Sequence, residues 1–115
     1  MIIIPKGWGR EEIWADEPGY CGKNMVFETG KCFSMHFHRT KDETWLVQSG
    51  KFRLIWIDTE KAMKHTRRLR PGDTWRNAPL VPHQLICLES GTVVEVSTHD
   101  DPYDNYRIER GDSQR

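Results

Sequence analysis

Three histidines and a glutamate, His36, His38, Glu43 and His83, carry side chains and spacings suited to metal chemistry. One residue separates His36 from His38, four more precede Glu43, and His83 lies far downstream. Three imidazoles and a carboxylate form a coordination shell for a divalent transition metal; iron, manganese, nickel, cobalt and zinc all accept such donors. A cation held this way, if five- or six-coordinate, leaves positions for substrate oxygens and can act as a Lewis acid on a carbonyl and its neighbouring hydroxyl.

Successive side chains of a β-strand point to opposite faces, so His36 and His38 can reach one ion together. Glu43 is expected to return beside them on the neighbouring antiparallel strand, and His83 to arrive from a third. Ligands drawn from several strands require a curved sheet that closes around the ion. Glycines punctuate this pattern. Gly30 precedes His36 by five intervening residues, Gly50 follows Glu43 after six, and Gly72, inside Pro71-Gly72-Asp73, comes eleven residues before His83. These are turn positions.

Short runs rich in β-branched and aromatic residues, separated by Gly, Pro and Asp, predict an all-β barrel or sandwich. The expected strands are Ile2 to Ile4, Glu11 to Trp14, Lys23 to Glu28, Cys32 to His38, Thr44 to Gln48, Lys51 to Ile57, His65 to Leu69, His83 to Leu88, Thr92 to Thr98 and Tyr106 to Glu109. Asp58 to Met63 is expected to be a loop or single turn, and no segment keeps an amphipathic helical period.

The chain has 115 residues, enough for one core and too few for two, so residues 1–115 are expected to form one domain. Lys plus Arg equals Asp plus Glu at 17 each, which disfavours a nucleic-acid partner. Apolar runs are too short for a membrane span, and the opening Met1-Ile2-Ile3-Ile4-Pro5-Lys6 is too short for a signal peptide; a cytoplasmic location is the expectation. Cys21, Cys32 and Cys87 are odd in number with no CxxC spacing, which predicts reduced thiols. By alternation Cys32 would share the face of His36 and His38, and Cys87 that of His83. Both are read as small thiols lining the pocket, with soft metal ligation as the alternative.

Together these motifs resemble the two signatures of the cupin superfamily. The first is matched through Gly30, His36, His38, Glu43 and Gly50, and the second through Gly72 and His83. The second also departs from the pattern, with Ala78 where proline is usual, Leu80 where glycine is usual, and Cys87 where asparagine often stands. The resemblance covers most of the chain and implies a single-domain cupin, a double-stranded β-helix or jelly-roll barrel, holding a divalent metal on His36, His38, Glu43 and His83.

Four further segments are similar to cupin-type mannose-6-phosphate isomerases: Lys6-Gly7-Trp8-Gly9 through Trp14, Lys41-Asp42-Glu43-Thr44-Trp45, Glu95-Val96-Ser97-Thr98 and Tyr106-Arg107-Ile108-Glu109. They also resemble small cupins found alone or fused to enzymes of activated-sugar synthesis. The resemblance implies a small-molecule substrate, a sugar or sugar phosphate, and a sugar-phosphate or nucleotide-sugar isomerase or epimerase. The alternatives are a metal-containing sugar-binding or regulatory module without turnover, and a metal-dependent oxygenase.

Aldose–ketose interconversion needs a base beside the carbonyl carbon. Glu95 faces the interior if Val94 and Val96 pack outward, and Glu43 is the other candidate. A phosphate would need cations at the pocket mouth, for which Arg53, Arg76, Arg107 and Lys41 are available. Trp45 shares the parity of Glu43 and is expected to wall the pocket.

Alternation through His36 also turns Phe33, Met35 and Phe37 away from the cavity, where they need cover. A homodimer is the expected cover, partly because similar cupins commonly pair. The second sheet's flank and an N-terminal strand carrying Ile2, Ile3 and Ile4 are the alternatives.

Overall fold

A computed structural model describes all 115 residues as an all-β molecule of eleven strands in two sheets. Strands β1 (Ile2–Lys6), β2 (Gly9–Glu17), β3 (Tyr20–Phe27), β10 (Gly91–Ser97), β5 (Glu43–Val47) and β8 (Thr74–Asn77) form the first sheet, in the order β1-β2-β3-β10-β5-β8. The second runs β11-β4-β9-β6-β7, from β11 (Tyr106–Glu109), β4 (Met35–Phe37), β9 (His83–Glu89), β6 (Lys51–Asp58) and β7 (Met63–Leu69). All pairings are antiparallel. No helix is long and apolar enough to cross a membrane.

Period-two patterning places the core between the sheets. Inward residues Met25 and Phe27 on β3, Trp45 and Val47 on β5, Val93 on β10, Phe52 and Leu54 on β6, Leu69 on β7, and Leu85 and Cys87 on β9 form one buried cluster with Trp8 and Phe33. Each fully buried large side chain contributes about 1.5–3 kcal/mol of transfer free energy. The expected strands all form, with shifted ends. Gly30, Gly50 and Gly72 adopt φ values of 83°, 84° and 91°, the left-handed region that glycine enters without a Cβ penalty. Leu80, standing where the second cupin signature usually has glycine, takes the same conformation at φ 72°. The loop therefore keeps a glycine-like shape at a cost of about 1–2 kcal/mol, and the Leu80 amide donates to the His38 carbonyl at 2.7 Å.

Four sequence expectations are corrected. Thr74–Asn77 is an additional edge strand that closes the first sheet beyond β5. Glu43 does not return on a strand beside His36: β5 belongs to the facing sheet, so the 38–42 loop crosses the barrel and Glu43 approaches the histidines from across the cavity. The segment expected to run as a strand from Cys32 is regular only over Met35–Phe37, with Cys32 making an isolated bridge to Ile86. That irregularity resets alternation, because Ile86 faces outward between Leu85 and Cys87. Cys32 goes outward with it and does not line the pocket, whereas Phe33 turns inward to 8% exposure.

The other two residues of the supposed apolar surface, Met35 and Phe37, are also covered within one chain. Met35 is 1% exposed, and Phe37 stacks on Tyr106 of β11 with ring centroids 5.2 Å apart. Phe33, Met35 and Phe37 therefore need no partner subunit to cover them, because Phe33 turns inward and β11 lies alongside β4. The exposed apolar side chains lie elsewhere, among them Ile3, Trp14, Leu46 and Val96 on the outward face of the first sheet.

Candidate metal centre and ligand pocket

His36 and His83 are cross-strand partners on β4 and β9, and His38 follows the end of β4. In each ring Nδ1 faces a main-chain carbonyl: Ser34 O at 2.7 Å from His36, Asp104 O at 2.6 Å from His38, and Val81 O at 2.9 Å from His83. A carbonyl cannot donate, so each Nδ1 must carry the proton and donate it. That fixes the tautomer and leaves each Nε2 as the ring's free nitrogen, the arrangement typical of metal-ligating histidines. Potential ligand atoms of His36, His38 and His83 all lie within 4.8 Å of one another. Burial and the neighbouring rings of His83 and His38 hold His36 well below the usual imidazole range, so it is neutral and able to coordinate.

Glu43 is 2% exposed and extends towards these rings from the opposite sheet. Its Oε1 lies 2.9 Å from His83 Nε2 and 3.6 Å from His38 Nε2. Neither Glu43 Oε1 nor His83 Nε2 has a hydrogen-bond partner, although both are buried. Two orphaned, buried acceptors facing each other need a cation or a proton between them. The donor set therefore fits a divalent transition metal.

The other wall of the pocket is ionic. Glu95 and Lys23 are cross-strand partners on β10 and β3, and Glu11 on β2 faces the same cavity. Lys23 Nζ lies 2.5 Å from Glu11 Oε2 and 3.5 Å from Glu95 Oε2, while Lys41 Nζ lies 3.0 Å from Asp100 Oδ1 and 3.2 Å from Glu95 Oε2. Burial works against both ammonium groups, but the surrounding carboxylates, Glu95 foremost, outweigh it and raise both lysines above their ordinary value. Trp45 Nε1 donates to Glu95 Oε1 at 3.1 Å and so fixes that carboxyl. Burial, joined by the negative charge of Glu43, pushes Glu95 up to about 7. Burial also opposes ionisation of Glu43, yet its neighbours Glu95, His38 and His83 outweigh burial and hold it well below the carboxylate range. Two adjacent carboxyl groups thus have opposite proton affinities, as an acid–base site requires.

These groups line a cavity of about 250 Å³, near the small end of ligand pockets. Lys41 and Trp45 stand in its wall, and Arg107, cross-strand from His36, is on its rim with no acidic partner. Arg53 and Arg76 do not reach it. Arg53 alternates outward between Phe52 and Leu54, and Arg76 alternates outward between Trp75 and Asn77, where it makes a bidentate pair with Asp42 at 3.0 and 2.7 Å. Cys87 shares the inward face of His83, as expected, but sits in the core beyond the pocket lining, where burial pushes its thiol up to about 11.

The Lys23–Glu11 wall was missed, although Lys23 has the same parity as Met25 and Phe27 and so falls in an inward register. Asp104 was missed as well. Its carboxylate accepts from the amides of Arg39, Thr40 and Lys41 and from the Thr40 hydroxyl, at 2.7 to 3.1 Å, while its carbonyl orients His38. Burial raises its proton affinity, but these donors prevail and hold it well below the usual range. Asp104→Ala should cost about 1–3 kcal/mol in urea unfolding and weaken metal binding by about tenfold. Because the folded pKa is depressed, this stabilisation is full at neutral pH and fades as pH falls below ~4. The stability curves of wild type and variant should converge in acid; a gap that persists there would contradict the assignment.

No protein-family model matches the chain, and no curated protein sequence does. Solved structures do match. KdgF from Halomonas sp. is 22% identical with a TM-score of 0.71, over 82% of this chain and 81% of that one. A tryptophan-to-tyrosine variant of oxalate decarboxylase from Bacillus subtilis gives a TM-score of 0.82 at 16% identity, over 93% of this chain and 30% of that one. CapF, solved with the inhibitor 3-isopropenyl-tropolone, gives 0.75 at 18% identity, over 94% and 34%. The chain thus spans about a third of the latter two proteins. At such identities the likeness carries the fold alone.

Proposed function

Taking the chain as a cupin-fold barrel with a three-histidine cluster, we propose that it isomerises or epimerises a sugar or sugar phosphate with the aid of a divalent transition metal. His36, His38 and His83 would hold the metal, with Glu43 as the fourth ligand from the facing sheet. The observation that carries this reading is the placement of a buried carboxyl, Glu95, in the cavity into which the histidine cluster faces. When bound, the metal would supply Lewis-acid stabilisation of substrate oxygens.

The chain's own groups would move the proton. Glu95 would take it from the carbon next to the substrate carbonyl and return it to the neighbouring carbon or the opposite face. Lys41, within 3.2 Å of Glu95, would hold the negative charge that develops on substrate oxygen. Trp45 would keep the carboxyl aimed. Proximity of base and cation among buried side chains makes each more effective than in bulk solvent. Oxalate decarboxylase, whose Mn(II) centres have been characterised, supports metal chemistry on this fold. For a homodimer, the outward apolar face carrying Ile3, Trp14, Leu46 and Val96 would be the contact surface.

The second reading is a sugar-binding module without turnover, favoured by the two ammonium groups that face Glu95 Oε2 and reduce its basicity. Proton NMR in heavy water, with metal-loaded protein and a panel of hexose and pentose phosphates, separates the two. Isomerisation predicts loss of the signal at the carbon next to the carbonyl; saturable binding without loss would select the second reading.

Arg107 would grip a phosphate from the rim. Arg107→Ala should weaken binding of a phosphosugar by about 1.5–3 kcal/mol, the scale of a hydrogen bond to a charged group, and leave its unphosphorylated sugar nearly unaffected. Equal losses for both in calorimetric titrations would remove Arg107 from this role.

A further inference from the structure

Segment Gly111–Gln114 crosses beside the pocket and is clamped on two sides. The Asp112 amide donates to the Cys32 carbonyl at 2.9 Å, and the Cys32 amide donates to Asp112 Oδ2 at 2.7 Å. From the other side, the Gly7 amide donates to Ser113 Oγ at 3.0 Å. The fit is tight enough to require glycine twice. A Cβ on Gly7 would lie 2.0 Å from the Asp112 carbonyl oxygen, and one on Gly111 would lie 2.3 Å from the Phe33 carbonyl carbon. The clamp thus ties the β1–β2 turn to the stretch that leads into the histidine strand.

Within the segment, Gln114 is held by its own neighbours. Its side-chain Oε1 accepts from the Gly111 amide at 2.8 Å, and its amide donates to the Gly111 carbonyl at 3.1 Å. Ser113 and Gln114 both line the cavity that contains the histidines.

We propose that Gly111–Gln114 is a specificity wall of the pocket, in which Gln114 limits the bulk of the bound ligand. This rests on the reading that the ligand occupies the cavity at the metal. A side chain anchored at one end by its own backbone resists displacement, so it discriminates by size more sharply than a free surface glutamine.

The test loads the full chain with Co²⁺ and titrates two metal-seeking probes, small azide and bulky benzohydroxamate, following the cobalt visible spectrum. Gln114→Ala should raise benzohydroxamate affinity about tenfold relative to azide, and Gln114→Trp should lower it by a similar factor. Gly7→Ala, which forces Asp112 away, should act like Gln114→Ala. Parallel changes for both probes, no change, or no binding of benzohydroxamate to any variant overturns the wall while cobalt uptake upholds the metal reading. Wild-type protein that takes up no cobalt overturns both.

Discussion

His38→Ala should leave the purified protein with less than about a tenth of the wild-type metal content, since loss of a directly ligating imidazole is at least as severe as the 10–100-fold affinity loss from disturbing a residue behind one. The barrel should stay folded. His38 is only partly buried, lies just past the end of β4, and takes no part in the apolar cluster built around Phe52, Leu54, Leu85 and Val93. Elemental analysis after gel filtration, with circular dichroism as the control for folding, measures both consequences. Full metal retention would remove His38 from the coordination shell.

Glu95→Gln should slow solvent exchange of the substrate proton by about 10²–10⁴-fold, the range contributed by a positioned general base, with bound metal unchanged. Glutamine keeps the shape and can still accept from Trp45 Nε1, so the pocket should retain its geometry. It removes the negative charge facing Lys23 and Lys41, which should lower stability because two buried ammonium groups lose a shared counter-charge. Exchange rates by NMR, read beside metal content, separate loss of the base from loss of the metal. Exchange within a few-fold of wild type would exclude Glu95 as the base.

The clustering of the three histidines was legible in the sequence because its geometry is local. His36 and His38 share a face by strand parity, glycines mark the flanking turns, and His83 repeats the pattern on a second strand. Trp45 and Glu95 were legible for the same reason, each sitting two residues from another inward side chain. Parity fails where a strand is interrupted. The irregular stretch at Phe33 and Ser34 could not be read from residue types that favour β structure throughout, and it reversed the expected faces of Cys32 and Phe33. Sheet membership was equally hidden. Nothing in the spacing of His38 and Glu43 distinguishes a hairpin from a crossing to the opposite sheet, because both need only a short turn.

The cationic candidates show the other limit of reading by composition. Arg53, Arg76 and Arg107 are alike in sequence, yet parity puts the first two outside the barrel, and Asp42 neutralises the second. Lys23 gives no signal by residue type, because a lysine inside a barrel is expensive to bury. Glu11 and Glu95 provide the compensation, and they come from two other strands. The role of Asp104 depends on a separation of more than sixty residues between the aspartate and the loop it caps, a contact that no local pattern encodes.

X-ray absorption spectroscopy on the zinc-loaded protein tests the metal centre most directly. The convergence of His36, His38 and His83 predicts a first shell containing three imidazole nitrogens at ~2.0–2.1 Å, with the outer-shell scattering typical of histidine rings and no sulfur. A shell with a sulfur scatterer at ~2.3 Å, or with fewer than three imidazoles, would contradict it.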